Sequence, residues 1–246
     1  MSNYLIDINA DVGEGLNNES ELVPYISSCN IACGGHAGDM DTMKSVARLA
    51  KKHQVKIGAH PSFPDKNNFG RLNMKISDVD LCESLKQQIE TLQDVLYSEG
   101  LKLHHIKPHG ALYNLAAKNE NTAEVIIKVI KRLEMPLKLY APHNSVIERL
   151  AKKENIKVVF EAFADRNYNE DLSLVSRQNN NAILNNKVII LNHVLKMIHE
   201  QKIKTINGVE VPMLASTFCV HGDTENAIEI LKFLTSELPK KGIIIK

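Results

Sequence analysis

The sequence predicts an α/β fold, an irregular seven-stranded TIM-like (β/α) barrel, and three observations predict it. Strand-like apolar runs alternate with helix-period segments from one end of the chain to the other, the mark of βα units and parallel pairing. The 246 residues contain no linker-like stretch, so one domain over 1–246 has the usual size of such a barrel. Polar, histidine-bearing motifs close one strand after another, as they would where strand ends converge on a mouth. Seven strands are legible where the regular barrel has eight, and an open doubly wound sheet is the alternative architecture.

The expected strands are YLIDINA (4–10), SCNIAC (28–33), VKIGAH (55–60), LHHIKPH (103–109), LKLYAP (137–142), KVVFEAF (157–163) and PMLASTFCV (212–220). Between them, DMDTMKSVARLAKKH places Met43, Val46, Ala47 and Ala50 at helical spacing behind an aspartate suited to cap the helix. The segment from Ser77 to Gly100 has a Ser77-x-x-Asp80 start, an apolar stripe of Leu81, Leu85, Ile89, Leu92 and Leu96, and a terminal glycine. Further helices are expected at 120–133, 144–153, 187–200 and 224–238. Two stretches, 61–76 and 164–185, are polar, rich in Gly, Pro or Asn, and too long for ordinary βα loops, so function is expected on them.

Composition narrows the partners. The formal net charge is +1, with 30 basic residues scattered among 29 acidic ones, and no basic stripe for nucleic acid or an acidic membrane stands out. Small molecules or proteins are the expected partners, with a homo-oligomer left open. The N-terminus lacks the pattern of a signal peptide and no window is apolar over 18 residues, so the chain is expected in the cytoplasm. Cys29, Cys33, Cys82 and Cys219 have neither C-x-x-C spacing nor disulfide density and read as reduced, mostly buried thiols.

The chemistry gathers at the strand ends. Strand one closes in NADVGEG with Asn9, Asp11 and Glu14, strand two in CGGHAGD with His36 and Asp39, and strand three in GAHPSFPD with His60 and Asp65. Strand four closes with Lys107, His109 and Asn114, strand five with His143, strand six with Glu161, Asp165 and Arg166, and strand seven with His221 and Asp223. A lone histidine is more often structural than catalytic, but imidazoles closing five of seven strands point to a collective catalytic mouth.

Gly34, Gly35 and Gly38 allow close backbone approach ahead of a helix N-terminus, where a phosphate or carboxylate is favoured, although neither G-x-G-x-x-G nor a P-loop is present. A tight structural turn explains the same glycines. Asp11, His36, His60 and His109 offer ligands suited to a divalent metal of open identity; without one they serve as general base and orienter. Lys107, Arg71 and Arg166 are cations available to an anionic substrate, the two arginines having loop-anchoring ion pairs as their alternative role.

The motifs NADVGEG, NIACGGHAGD, GAHPSFPD…FGR, KPHGALYN, FADRNY, LVSR and CVHGD, in this order and over nearly the whole chain, resemble the LamB/YcsF family. The resemblance implies an irregular barrel similar to the metal-dependent carbohydrate deacetylases. It also implies hydrolysis of 5-oxo-L-proline to L-glutamate coupled to hydrolysis of ATP, in a complex with two further subunits, B and C.

Under that resemblance Lys107 and the 34–38 turn hold phosphate, and Asp11, His36, His60 and His109 activate water or bind metal. Arg166 meets the substrate carboxylate, and Glu14, Asp39, His221 and Asp223 orient groups or relay protons. Asn114 completes the expected binding residues. The chain departs from the family pattern at Ala10, where Cys is usual, and at Gly35, where Phe is usual, which implies a reshaped pocket and leaves a paralogue with another lactam or amide substrate open. Two other readings stay open: a metal-dependent deacetylase or amidase that needs no ATP, and a non-catalytic substrate-binding subunit.

Overall fold

The computed structural model describes residues 4–246. Its strands run β1 (Tyr4–Val12), β2 (Ser28–Ala32), β3 (Lys56–His60), β4 (His105–Ile106), β5 (Lys138–Pro142), β6 (Lys157–Phe163), a small antiparallel pair β7 (Lys202–Lys204) and β8 (Glu210–Pro212), β9 (Thr217–Cys219) and β10 (Ile243–Ile245). Each of β1 to β5 pairs in parallel with the strand that follows it, and β9 closes the ring by pairing in parallel with both β6 and β1. The seven-stranded closed barrel is thus the one expected, not an open sheet. The last strand, β10, pairs only with Tyr4–Ile6 at the start of β1, outside the ring.

Local sequence explains why these segments fold this way. Along β1 the even positions Ile6, Ile8, Ala10 and Val12 are buried and apolar, whereas Asp7, Asn9 and Asp11 alternate with them. Strand periodicity puts the two sets on opposite faces. The odd set hydrogen-bonds across the ring: Ser28 Oγ donates to Asp7 Oδ1 (2.7 Å), Thr217 Oγ1 donates to the same oxygen (2.6 Å), and Asn30 Nδ2 donates to Asn9 Oδ1 (2.8 Å). The barrel interior is therefore polar, and the apolar core lies between the strands and the surrounding helices.

Those helices are α1 (Glu19–Leu22), α2 (Met40–His53), α3 (Asp78–Ser98), α4 (Gly110–Ala116), α5 (Glu120–Arg132), α6 (Val146–Lys153), α7 (Lys187–Glu200) and α8 (Ala227–Lys240). Side-chain caps start several of them, with Ser77 on Asp80 N and Asn119 on Thr122 N as examples. In α3 the stripe Leu81, Leu85, Ile89, Leu92 and Leu96 is buried as its spacing predicts. Among the described residues, no helix is long and apolar enough to cross a membrane. All four cysteines are free and buried.

The structure shortens two expected strands. Of 212–220 only Thr217–Cys219 pairs in the barrel, while Pro212 ends the hairpin β7–β8, for which Asn207-Gly208 is the local turn signal. Of 103–109 only His105–Ile106 is regular strand. The chain then turns out through Pro108, which has no N–H to donate, although Lys107 and His109 still donate backbone bonds to Ala59 O and Pro61 O. That turn delivers Lys107 and His109 to the mouth.

Candidate active site

At the C-terminal ends of the strands lies a cavity of about 400 Å³, walled by Asp11, Glu14, His60, Lys107, His109 and His221 at its floor and by Arg71, Arg166, Arg177 and Asp223 toward its rim. The two long loops supply Arg71, Arg166 and Arg177 to its wall.

The floor holds a histidine–carboxylate cluster. Gly13 (φ +74°) and Gly15 (φ +83°) flank Glu14 with left-handed backbone, and Glu14 turns back over the strand ends. Its Oε1 lies 3.0 Å from His36 Nε2, 3.4 Å from His109 Nδ1 and 3.9 Å from His60 Nε2. The His36 and His109 rings stack at 3.6 Å between centroids, and His60 meets both edge-on.

The outer hydrogen bonds set the tautomers. Lys107 O accepts from His60 Nδ1 (2.7 Å) and Phe69 O accepts from His109 Nε2 (3.0 Å). Carbonyls only accept, so in the neutral rings the lone pairs of His60 Nε2 and His109 Nδ1, 2.9 Å apart, face one another and the Glu14 carboxylate. Burial pushes the His109 imidazole well below its ordinary range, helped by the charges of His60 and His36, and burial also lowers His36 against the opposing pull of Glu14. These rings stay neutral at pH 7.

Glu14, His36, His60 and His109 have donor atoms all within 4.8 Å of one another, a set whose chemistry fits a divalent metal. The expected set had Asp11 in place of Glu14. Asp11 instead accepts from Lys107 Nζ (2.9 Å) and Asn30 Nδ2 (2.8 Å) on Oδ1, and only its Oδ2 reaches His60 Nε2, at 3.3 Å.

Lys107 is 1% exposed and meets its anions inside the protein. Its Nζ bridges Asp11 Oδ1 (2.9 Å) and Glu161 Oε1 (3.0 Å) and donates to Cys219 Sγ (3.1 Å). Burial alone would lower this ammonium, but Asp11, Cys219 and Glu161 override it and hold the lysine well above its usual range. Burial likewise disfavours ionised Asp11, yet His60 and Lys107 hold its carboxyl well below the ordinary value. At the cavity floor Lys107 thus forms a buried carboxylate–ammonium–carboxylate bridge.

His221 pairs with Asp165: its Nδ1 lies 3.0 Å from Asp165 Oδ1, while Asp165 Oδ2 accepts from the His221 backbone N–H (3.0 Å) and from Thr224 Oγ1 (2.5 Å). This leaves His221 Nε2 as the ring nitrogen for the cavity. Burial opposes ionised Asp165, but the His221 charge and these hydrogen bonds keep its carboxyl low.

At the rim, Arg71 Nη2 (2.8 Å) and Arg177 Nη1 (3.1 Å) converge on Asp223 Oδ2. Arg177, the last residue of LVSR, carries a cation at the mouth, a role that the motif alone does not assign. Arg166 is buried and bonds its own loop, donating to Val175 O (2.7 Å) and Ala182 O (3.3 Å), which is the loop-anchoring role with carbonyls in place of carboxylates.

The 34–38 turn lies behind this site. Gly34, Gly35, Gly38 and Asp39 do not wall the cavity, and Asp39 Oδ1 itself caps α2 by accepting from Thr42 N (2.8 Å). A Cβ on Gly38 (φ +81°) would sit 2.5 Å from Ala32 O, and one on Gly35 would sit 2.4 Å from Gln88 Oε1 and Ser62 Oγ. These glycines serve packing that swings His36 into the cluster. The departures at Ala10 and Gly35 also lie outside the cavity wall: Ala10 is fully buried in the core, and Gln88 packs against Gly35, bonding Ser62 N and Ser62 O.

Asn114 lines the mouth and a second cavity beside it. His143 lies only in the second, and Asp65 folds back on its own loop, accepting from Asn68. His105, which no motif marked, reaches the barrel interior to donate to Asn30 Oδ1 (2.7 Å).

Comparison with known proteins agrees with this architecture. The chain is 41% identical over 246 residues to the A subunit of 5-oxoprolinase from Bacillus cereus (strain AH187), an alignment covering 98% of this chain and 97% of that protein. The crystal structure of the lactam utilization protein from Thermus thermophilus superposes with a TM-score of 0.91 at 35% identity and 98% coverage of both chains. A family 4 carbohydrate esterase from Streptomyces lividans, at 10% identity, 99% coverage of this chain and 92% of that one, shares the fold alone, with a TM-score of 0.50. The LamB/YcsF family model matches residues 6–246, and this chain, with its seven-stranded barrel and its motifs brought to one mouth, belongs to the LamB/YcsF family.

Proposed function

We propose that this chain opens a lactam by hydrolysis, converting 5-oxo-L-proline to L-glutamate in an ATP-fed, cytoplasmic reaction shared with 5-oxoprolinase subunits B and C. The observation that carries the reading is the floor cluster, where the lone pairs of His60 Nε2 and His109 Nδ1 are aimed at one point by backbone carbonyls. The names of the relatives, one a component of 5-oxoprolinase and the other a lactam utilization protein, supply the substrate class.

The roles follow from the geometry. His60 Nε2 takes a proton from the attacking water, and Asp11 Oδ2, 3.3 Å away, stabilises the imidazolium that forms. His221, oriented by Asp165, returns a proton to the departing nitrogen. Arg71 and Arg177 face the anionic part of the substrate or of ATP from the rim. ATP answers a chemical need, because a lactam is a resonance-stabilised amide and phosphorylating its oxygen makes the ring carbon electrophilic and supplies a leaving group. In place of the general-base role of His60, Glu14, His36, His60 and His109 would hold a divalent metal, which when bound would polarise a carbonyl or lower the pKa of water.

That donor set also favours a second reading, metal-dependent hydrolysis of another amide without ATP. One assay separates the two: glutamate release from 5-oxoproline, with and without ATP, by the chain alone and with subunits B and C. Release only in the ATP-fed mixture supports the proposal; amide hydrolysis by the isolated chain without ATP supports the second reading. A folded chain inactive in every arm would refute 5-oxoproline as substrate.

A further inference from the structure

A second cavity of about 250 Å³ adjoins the mouth, and Tyr113, Asn114, Phe163 and Leu174 wall both. Among the described residues, six buried side-chain polar atoms have no hydrogen-bond partner, and three of them, Tyr113 Oη, His143 Nδ1 and Glu161 Oε2, belong to residues that wall this one cavity. Buried polar groups ordinarily find partners, so such a concentration marks a place built for a ligand.

The donors and acceptors define what fits. Glu161 is 1% exposed; its Oε1 faces the barrel interior, accepting from Asn9 Nδ2 (3.0 Å) and pairing with Lys107 (3.0 Å), which leaves Oε2 on the cavity side. A carboxylate oxygen only accepts. Tyr113, 6% exposed, carries a hydroxyl that burial, with the Glu161 charge next in effect, holds in its protonated, donating form. The wall therefore presents one acceptor beside one donor.

We infer that this lobe is a recognition site for the cis-amide edge of a lactam, with Glu161 Oε2 accepting from the ring N–H and Tyr113 Oη donating to the ring carbonyl. A ring forces its amide to be cis, so N–H and C=O lie side by side on one edge, whereas the trans amides of ordinary peptide bonds point them in opposite directions. A lactone has the same shape and lacks the N–H. Glu161 and Tyr113 are thus specificity-determining residues that select cyclic amides over esters and peptides. The inference rests on the reading of this chain as a lactam hydrolase, and it holds the ring at the junction of the two cavities.

The test uses the full-length chain and two small probes of matched shape, 2-pyrrolidinone and γ-butyrolactone, with binding read by saturation-transfer NMR on the native protein, Tyr113→Phe and Glu161→Gln. The lactam is expected to bind about 10-fold or more tightly than the lactone; Glu161→Gln should collapse that preference, whereas Tyr113→Phe, which removes the donor to the carbonyl the two probes share, should weaken both about 10-fold. Glu161→Gln disturbs a buried ion pair and can fail to fold; Tyr113→Phe removes one hydroxyl beside Glu161, leaves the Lys107–Glu161 pair in place and decides the matter alone through the lactam affinity.

Equal binding of the two probes to the native protein, no lactam binding, or native lactam affinity in Tyr113→Phe overturns the inference. Turnover of 5-oxoproline separates it from the parent reading. Native kcat/KM in Tyr113→Phe, assembled with subunits B and C, keeps the reaction and sinks the lobe; Tyr113-dependent lactam binding without 5-oxoproline turnover keeps the lobe and sinks that substrate.

Discussion

Replacing Lys107 with methionine removes the ammonium that bridges two buried carboxylates, Asp11 at 2.9 Å and Glu161 at 3.0 Å. Methionine nearly preserves the volume, so the cost is electrostatic. Breaking a buried pair by deleting one partner costs about 3–5 kcal/mol, against a total stability of roughly 5–15 kcal/mol. For a domain of this size each kcal/mol lowers Tm by about 2–4 °C, so the variant should melt roughly 6–20 °C below the native protein at pH 7.5.

The pH dependence gives a signed check. In the native fold Asp11 lies well below its ordinary value, so it contributes stability above the unfolded carboxyl pKa that is lost as pH falls through the folded one. Without Lys107, burial is opposed by less charge and the folded pKa of Asp11 rises. The gap between variant and native should therefore be widest above the ordinary carboxyl range and shrink as pH falls through it, where Asp11 of the variant takes up its proton. Calorimetric scans from pH 4 to 8 provide the assay. A Tm within about 2 °C of native at pH 7.5, or a gap independent of pH, would refute the account of Lys107 as an internal counter-ion.

Arg166→Ala should release the 164–186 loop, because Val175 O and Ala182 O lose their donor; hydrogen exchange should rise about 10-fold or more over residues 166–184 and stay native elsewhere. Gly38→Ala combines a left-handed φ of +81° with a Cβ 2.5 Å from Ala32 O, so about 2 kcal/mol or more should be lost in denaturant unfolding; a neutral result would mean the turn relaxes freely. Burial pushes His193 down to about 4, so native stability should be full above pH about 6.5 and decline as pH falls toward 4; His193→Leu should flatten that slope in urea titrations. Zinc or manganese titrated into the full chain should raise Tm, and His60→Ala combined with His109→Ala should abolish the rise; an equal rise in the double variant would remove the cluster as a metal site.

The barrel was legible because each strand carries its own apolar signal and each helix its own spacing, both local properties. The strand-end motifs likewise announced that Asp11, His36, His60, His109, Lys107 and His221 share one end of the molecule. What stayed hidden were the partners. Nothing in NADVGEG tells whether Asp11 or Glu14 reaches the histidines; two left-handed glycines decide it by folding Glu14 back. Nothing in KPHG shows that Lys107 spends its charge on Glu161, since that contact spans the barrel. The glycines at 34–38 read as an anion cradle for the same reason: the carbonyl of Ala32 and the side chain of Gln88, which require them, are tertiary neighbours. His105 had no motif because its role is a hydrogen bond through the barrel interior, made at a level where Gly58 leaves no Cβ to meet the ring.

We place the proposed chemistry on this chain, at the His60–His109–Glu14 floor. The measurement that tests it most directly is the kcat for ATP-dependent glutamate release from 5-oxoproline by complexes assembled from subunits B and C with either the native chain or His60→Ala. The account predicts a fall of about 10²–10⁴ in kcat, with assembly and melting behaviour preserved. A fully assembled His60→Ala complex turning over at the native rate would contradict it and place the reacting bond elsewhere.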